Sequence, residues 1–218
     1  MYLTQFEINP ARRGARLLLS SPHRMHGAVL AAFTPEERQP TETGRILWRV
    51  DRTEHRCLLY IVSPHRPDLA HLVEQAGWPS KVTWRTGDYR HVLDRLVAGQ
   101  QWAFRLTANP VYNPRNGASR RRGPRYGHVT QTQQQEWLLK QAEKYGFEVS
   151  KADESPDLVV RDRQVRRFKR DDRQVVTIST ATFDGRLTVT DPDALRSALT
   201  RGIGPAKGYG CGLLTLAR

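Results

Sequence analysis

The same order of residue patterns runs twice along this chain of 218 residues, and few architectures accommodate it. Tyr2, Thr4, Phe6 and Ile8 alternate with Leu3, Gln5 and Glu7, the two-residue period of a strand. Ser21-Pro22 then opens a helix with Met25, Val29 and Phe33 on one face. Arg45 to Val50 and Arg56 to Val62 read as two strands joined by a polar turn. A short helix from Asp68 to Ala76 and a strand at Val82 to Arg85 complete a β-α-β-β-α-β series, the order of the ferredoxin-like split unit. After Gly99 the series starts again. Trp102 to Leu106 is a strand, Gln131 to Tyr145 a helix, and Leu158 to Val160 with Gln164 to Phe168 two strands flanking a tight turn. Val175 to Thr180 and Phe183 to Val189 are predicted as separate strands, followed by a helix from Pro192 and a strand from Leu213. The expectation is an α+β fold of two tandem ferredoxin-like (RRM-like) domains, residues 1–98 and 99–218, the second with an inserted basic β-hairpin. No residue-level repeat joins the halves, so any duplication rests on pattern alone.

The end of the chain carries the densest signal. Gly202-Ile203-Gly204-Pro205-Ala206-Lys207-Gly208-Tyr209-Gly210-Cys211-Gly212 holds five glycines around one lysine. Glycine lacks a Cβ, so such a loop can bring backbone N–H groups close to a phosphate. It is not a Walker loop, which follows a strand and opens a helix. Here a helix precedes it: Asp191 is a good N-cap, Pro192 sits at N1, Leu195 and Leu199 repeat at i,i+4, and Gly202 falls at the C-terminal cap. A formal net charge of +13 makes a polyanion the natural partner.

Arginine dominates that charge and gathers in two places. Arg115, Arg120, Arg121, Arg122 and Arg125 lie among Asn, Gly, Ser and Pro, a loop composition. Arg161, Arg163, Arg166, Arg167, Lys169, Arg170 and Arg173 lie on or beside the predicted hairpin, diluted by Asp162, Asp171 and Asp172. Charge runs alone usually mark solvated faces; two of them with a glycine loop favour nucleic acid. RNA fits better than DNA, because a slim hairpin can probe an A-form groove only where a stem ends or distorts. No apolar run of membrane-spanning length and no secretory signal is read, and Cys57 and Cys211 form no C-x-x-C pair. A reducing cytoplasm is the expected compartment.

His23 and His26 lie three apart in the first turns of a helix and so project on one side. A group with a reference pKa of about 6.5 suits proton transfer in RNA cleavage. A histidine pair on a surface helix is also ordinary. As a metal site the pair needs a further ligand, and His55, His65, His71, His91 and His128 form no set with it. Nor do clustered carboxylates suggest a two-metal nuclease, so no metal and no cofactor is expected.

Met1-Tyr2-Leu3-Thr4, the His26 helix, Phe104-Arg105-Leu106-Thr107-Ala108-Asn109-Pro110, and Gly202 to Lys207 with Gly210-Cys211-Gly212-Leu213-Leu214 together resemble the CasE family over nearly the whole chain. These are CRISPR-associated endoribonucleases of subtype I-E systems. The resemblance implies a protein that binds CRISPR repeat hairpin RNA and cuts precursor CRISPR RNA at the 3′ base of the stem. It implies metal-independent attack by the 2′-OH on the adjacent phosphate, with His26 as general base or acid, and retention of the mature guide beside other Cascade subunits. His23 departs from the tyrosine that relatives carry three residues before this histidine. Arg166, Arg167 and Lys169 resemble the family's groove-probing positions; Arg120, Arg121 and Arg122 are candidates for the stem backbone. Arg115, Arg125, Gly204, Lys207, Gly208 and Gly210 complete the expected RNA contacts. A non-catalytic RNA-binding subunit of a ribonucleoprotein would share every basic feature and need no histidine.

Overall fold

The computed structural model describes residues 1–113, 125–170 and 174–217. The first half contains β1 (Tyr2–Ile8), α1 (Arg13–Leu19), α2 (Pro22–Leu30), β2 (Leu47–Arg52), β3 (Cys57–Ser63), α3 (Ala70–Ala76), β4 (Trp84–Asp88) and the single turn α4 (Arg90–Leu93). Its strands form one antiparallel sheet in the order β2-β3-β1-β4. The alternation in β1 does what its period dictates: Thr4, Phe6 and Ile8 are buried while Leu3, Gln5 and Glu7 are only half-buried. Phe6 and Ile8 share a core cluster with Met25 and Val29 of α2 and Leu72 of α3. Helix α1 has no counterpart in the sequence pattern. It spans two turns and buries only Ala15 and Leu18, too few positions to establish a helical period.

The second half contains β5 (Gln101–Ala108), the two-residue ladder of β6 (Val111–Tyr112) with β7 (Tyr126–Gly127), α5 (Gln131–Lys144), β8 (Phe147–Val149), the ladder of β9 (Lys151–Ala152) with β10 (Ser155–Pro156), β11 (Leu158–Lys169), β12 (Val175–Val189), α6 (Pro192–Arg201) and β13 (Leu214–Ala217). The main sheet runs β11-β12-β5-β13, again antiparallel, and β8 also pairs with β12. Local signals set the helix ends. Thr130 and Gln133 form a reciprocal capping box on α5. The Asp191 side chain accepts from the Asp193 and Ala194 amides ahead of α6, and Gly202 ends that helix at φ +78°.

Two expectations about the hairpin are revised. The tight turn expected between Val160 and Gln164 is a bulge, with the register shifting between Arg161 and Gln164 and Asp162 at φ +50°. The two strands expected within 175–189 are one, β12, because β5 pairs it from Ala181 to Thr188 while β11 pairs it from Val175 to Gly185. Neighbours on both edges hold the backbone extended through Ala181 and Thr182, where local pattern suggests a break. The basic hairpin is therefore an edge of the main sheet, lengthened past the end of β5, and β8 is the extra strand.

The two halves lock together through a buried arginine. Arg49 in β2 is 2 % exposed. Its Nε and Nη2 grip the Asp51 carboxylate at 2.6 and 3.0 Å, Nη1 donates to the carbonyls of Arg105 and Leu213 at 2.9 Å each, and Nη2 reaches Thr215 Oγ1 at 2.9 Å. Arg105 in turn bridges Asp51 and Asp184. Leu47 and Val62 of the first sheet belong to the core cluster of Leu106, Leu199 and Leu214. Among the described residues no helix is long and apolar enough to cross a membrane.

Candidate active site

Helix α2 follows Ser21 at its N-cap position, begins with Pro22, and buries Met25 and Val29. That burial turns His23 and His26 outward together, both half-buried. The helix faces the short 3₁₀ turn Lys207–Tyr209 inside the glycine-rich loop. On one edge of the His26 ring, Trp48 Nε1 donates to Nδ1 at 3.4 Å. On the other, the ring lies so near the loop that a Cβ on Gly208 would stand 3.4 Å from Nε2. Gly210, at φ +81°, lets the backbone lie against the Trp48 indole, where a Cβ would come within 2.7 Å of the ring. Gly204, at φ +75°, plays the same part against Trp137, leaving 3.0 Å. Composition suggests that these glycines expose amides to a phosphate; at Gly204 and Gly210 the visible demand is close packing on an indole.

Positive charge surrounds the ring. Burial pushes the His26 imidazole below its ordinary value, and the charges of His23 and Arg45 push it further the same way. Lys207 is depressed by burial and by Arg45 and Lys144. Its Nζ donates to the Gly204 carbonyl at 2.5 Å, so the lysine also braces the loop. Arg166 on β11 is lowered by burial and by Arg52, with Cys211 pulling the other way. Among the described residues no carboxylate pairs with Arg45, Lys207 or Arg166, and the Arg45 Nε is buried without a hydrogen-bond partner. Half-buried cations without counter-ions are costly unless an anion arrives, so the cleft is prepared for one. A cavity of about 210 Å³ opens beside it, lined by Ser21, Pro22, Trp48, Arg52, Gln164 and Arg166.

Burial and the neighbouring charges both favour the neutral form of His26 in the free protein. Its midpoint in an NMR titration is expected below the reference value of 6.5, and a midpoint at or above 6.5 would contradict the burial argument. The sign for stability follows. With the folded value lowered, the unfolded chain takes up the proton first, so His26 costs nothing above about pH 6.5 and destabilises progressively as pH falls through the folded value.

The structure thus brings together His23, His26, Gly204, Lys207, Gly208, Gly210 and Arg166. It separates Arg166 from Arg167 and Lys169. Phe168 packs inward with Ile178 and Cys211, and meets Tyr209 edge-on at 4.9 Å. Arg166, two residues earlier, shares that inner face, while Arg167 and Lys169 are exposed on the other. Arg125 is exposed beside β7. Arg115, Arg120, Arg121 and Arg122 lie outside the described residues, as does Arg173. Three residues of the site are not evident from sequence: Arg45, Trp48 and Arg52. Arg45 and Trp48 come from a segment that reads only as strand, and Arg52 from the polar turn expected after it. The one available signal is that Ile46, Leu47 and Trp48 are apolar in succession and so fall on both faces, as in a strand covered on both sides.

Both cysteines are free and buried, and burial raises Cys57 and pushes Cys211 up to about 12, so neither is a thiolate nucleophile. Among the described residues no three His, Cys, Asp or Glu side chains gather as metal ligands.

Antiparallel sheets with an imidazole seated in a cationic cleft define a class of α+β protein suited to acting on a phosphodiester. The family model described as CRISPR associated protein matches residues 1–218, and the chain belongs to that family. It is 30% identical over 226 residues to the CRISPR-associated endoribonuclease Cse3 of Thermus thermophilus, covering 100% of both. It is 29% identical over 165 residues to the CRISPR system Cascade subunit CasE of Escherichia coli, covering 73% of this chain and 80% of that one. Among solved structures, Thermus thermophilus Cse3 bound to an RNA representing a pre-cleavage complex superposes with a TM-score of 0.79 at 28% identity, covering 100% of this chain and 98% of the other.

Proposed function

We propose that this protein is the endoribonuclease that processes precursor CRISPR RNA, binding each repeat stem-loop, cutting at the 3′ base of its stem without a metal ion, and keeping the mature guide within a Cascade assembly. The observation that carries the reading is His26, held between Trp48 and the glycine loop in a cleft of cations that no described carboxylate pairs. The likeness to an endoribonuclease and to a Cascade subunit supports it. So does the shared strand order of the two sheets, which in each half reads fourth, first, third, second in chain order once β8 and the two-residue ladders are set aside. We read these as two ferredoxin-like units, residues 1–98 and 99–218, with the cleft where they meet.

In this reading the 2′-hydroxyl attacks the adjacent phosphorus and the bond to the 5′-oxygen breaks, leaving a cyclic phosphate and a 5′-hydroxyl. His26 assists at the reacting phosphate with His23 beside it. Arg45, Lys207 and Arg166 neutralise the backbone at the cut, and Arg166 enters where the stem ends. Arg167, Lys169 and Arg125, with Arg115, Arg120, Arg121 and Arg122, hold the flanking backbone.

The test is to incubate the purified protein with a repeat hairpin in EDTA, beside the same RNA carrying one 2′-deoxy sugar at the cut. Cleavage of the first and survival of the second is expected. Binding without cleavage of either would favour a non-catalytic RNA-binding subunit, and activity lost only in EDTA would indicate a metal nuclease.

A further inference from the structure

The contact between Trp48 and His26 decides more than position. An indole N–H can only donate, so the ring nitrogen facing it must present a lone pair. That nitrogen is Nδ1, at 3.4 Å. In a neutral imidazole the proton then sits on Nε2, the atom that faces Gly208 in the glycine-rich loop. Trp48 cannot swing away easily. It is 3 % exposed, and the Gly210 backbone lies against its ring.

This arrangement disfavours proton transfer at Nε2 in both directions. To accept a proton there, the ring must first carry one on Nδ1, pointing at the indole N–H. To donate one as an imidazolium, it must again hold a proton on Nδ1. Both forms set two N–H groups against each other. Burial and the charges of His23 and Arg45 oppose the imidazolium as well. What remains well suited is the neutral ring as a hydrogen-bond donor through Nε2–H.

We propose that Trp48 is a positioning residue that locks His26 in the Nε2–H tautomer, so that His26 acts as a neutral donor to a non-bridging phosphoryl oxygen rather than as a general base or acid. The inference rests on the nuclease reading above and narrows it. The chemistry balances without His26 gaining or losing a proton. The 2′-oxygen bonds to phosphorus as the bond to the 5′-oxygen breaks, the 2′-hydroxyl proton passes to water, and the 5′-oxygen takes a proton from water. The Nε2–H bond shortens onto the oxygen that gathers charge in the pentacoordinate transition state, where a single such donor is worth about a hundred- to a thousand-fold in rate.

Three measurements test this. The ¹⁵N spectrum of His26 in the wild-type protein, free and bound to the uncleavable 2′-deoxy hairpin, is expected at pH 7 to show a bare Nδ1 and a protonated Nε2. A proton on Nδ1 in the complex, as imidazolium or as the other tautomer, would overturn the proposal. His26→Gln offers an amide donor near the Nε2 position but cannot transfer protons at neutral pH. It is expected to cut at least about tenfold faster than His26→Ala, given the value of one aimed donor; equal rates for the two would reject the donor role. If His26→Ala itself cuts at the wild-type rate, His26 has no part in the chemistry and this proposal falls while the nuclease reading stands; failure of the wild-type protein to cut the hairpin would overturn the nuclease reading instead. Finally, Trp48→Phe keeps a ring against Gly210 but removes the indole N–H. A mixture of His26 tautomers and a slowing of about tenfold, with hairpin affinity held within about twofold, is expected. Retention of the pure Nε2–H tautomer would show that Trp48 is not what selects it, and the wild-type spectrum decides the matter even should this variant fold poorly.

Discussion

His26→Ala should slow single-turnover cleavage of a repeat hairpin by about a hundred- to a thousand-fold, the usual cost of deleting one group aimed at developing charge. Affinity for the hairpin should change by less than about twofold. The separation follows from where energy resides in the cleft. Binding a polyanion draws on many phosphate contacts, and a neutral imidazole adds little to them at pH 7. The scissile phosphate, by contrast, gains charge only in the transition state, and a group that acts there changes the rate without changing the ground state. Rates measured with protein in excess, beside a filter-binding titration, separate the two quantities. Undiminished cleavage would remove His26 from the chemistry. A loss of affinity matching the loss of rate would make it a binding residue.

Arg49→Met should produce the largest loss of stability from a single change, about 3–5 kcal/mol, the range found when one partner of a buried ion pair is removed. Methionine retains much of the stem volume, so the loss reports polar groups left unpaired rather than a cavity. Asp51, itself 9 % exposed along its side chain, would lose a paired guanidinium, and the Arg105 and Leu213 carbonyls would each lose a donor, Arg105 keeping the Thr215 hydroxyl at 3.4 Å. Arg105 would still reach Asp51 at 3.3 Å, which softens the penalty but does not restore the lost geometry. Because Arg49 ties β2 to β5 and β13, the same change should loosen Trp48, the adjacent residue on β2, against the glycine loop. Chemical denaturation measures the first effect. A midpoint within experimental scatter of the wild-type value would mean that the clasp contributes no net stability.

Much of the architecture is legible from local chemistry. Strand alternation in β1, the capping residues Thr130 and Asp191, Pro192 at the start of α6 and Gly202 after it all act over a few residues, and each appears in the structure where its chemistry places it. The motifs that carry the family resemblance are likewise contiguous runs, and the family match spans the same residues. Helix α1 and the continuity of β11 and β12 escape a sequence reading because their evidence is not local. Two buried side chains anchor the first, and flanking strands hold the others extended across a weak pattern.

The candidate site divides in the same way. Residue type and spacing point to His23, His26, Lys207 and Arg166 in one chain order, which says nothing of distance. Strand parity then parts Arg166 from Arg167 and Lys169, because a pleated strand sends neighbours to opposite faces and Phe168 buries itself against Cys211. Arg45, Trp48 and Arg49 lie within five residues of one another and look alike in sequence, as members of one strand segment. Only tertiary packing made Arg45 an orphaned donor, Trp48 a partner of His26 through α2 lying on the first sheet, and Arg49 a clasp through the first sheet meeting the second. Contiguous residues can announce helix ends, charge and kinship, since those follow from bonds within a few positions. The company a side chain keeps across 164 residues, as Arg49 keeps with Leu213, is settled by which surfaces exclude water together.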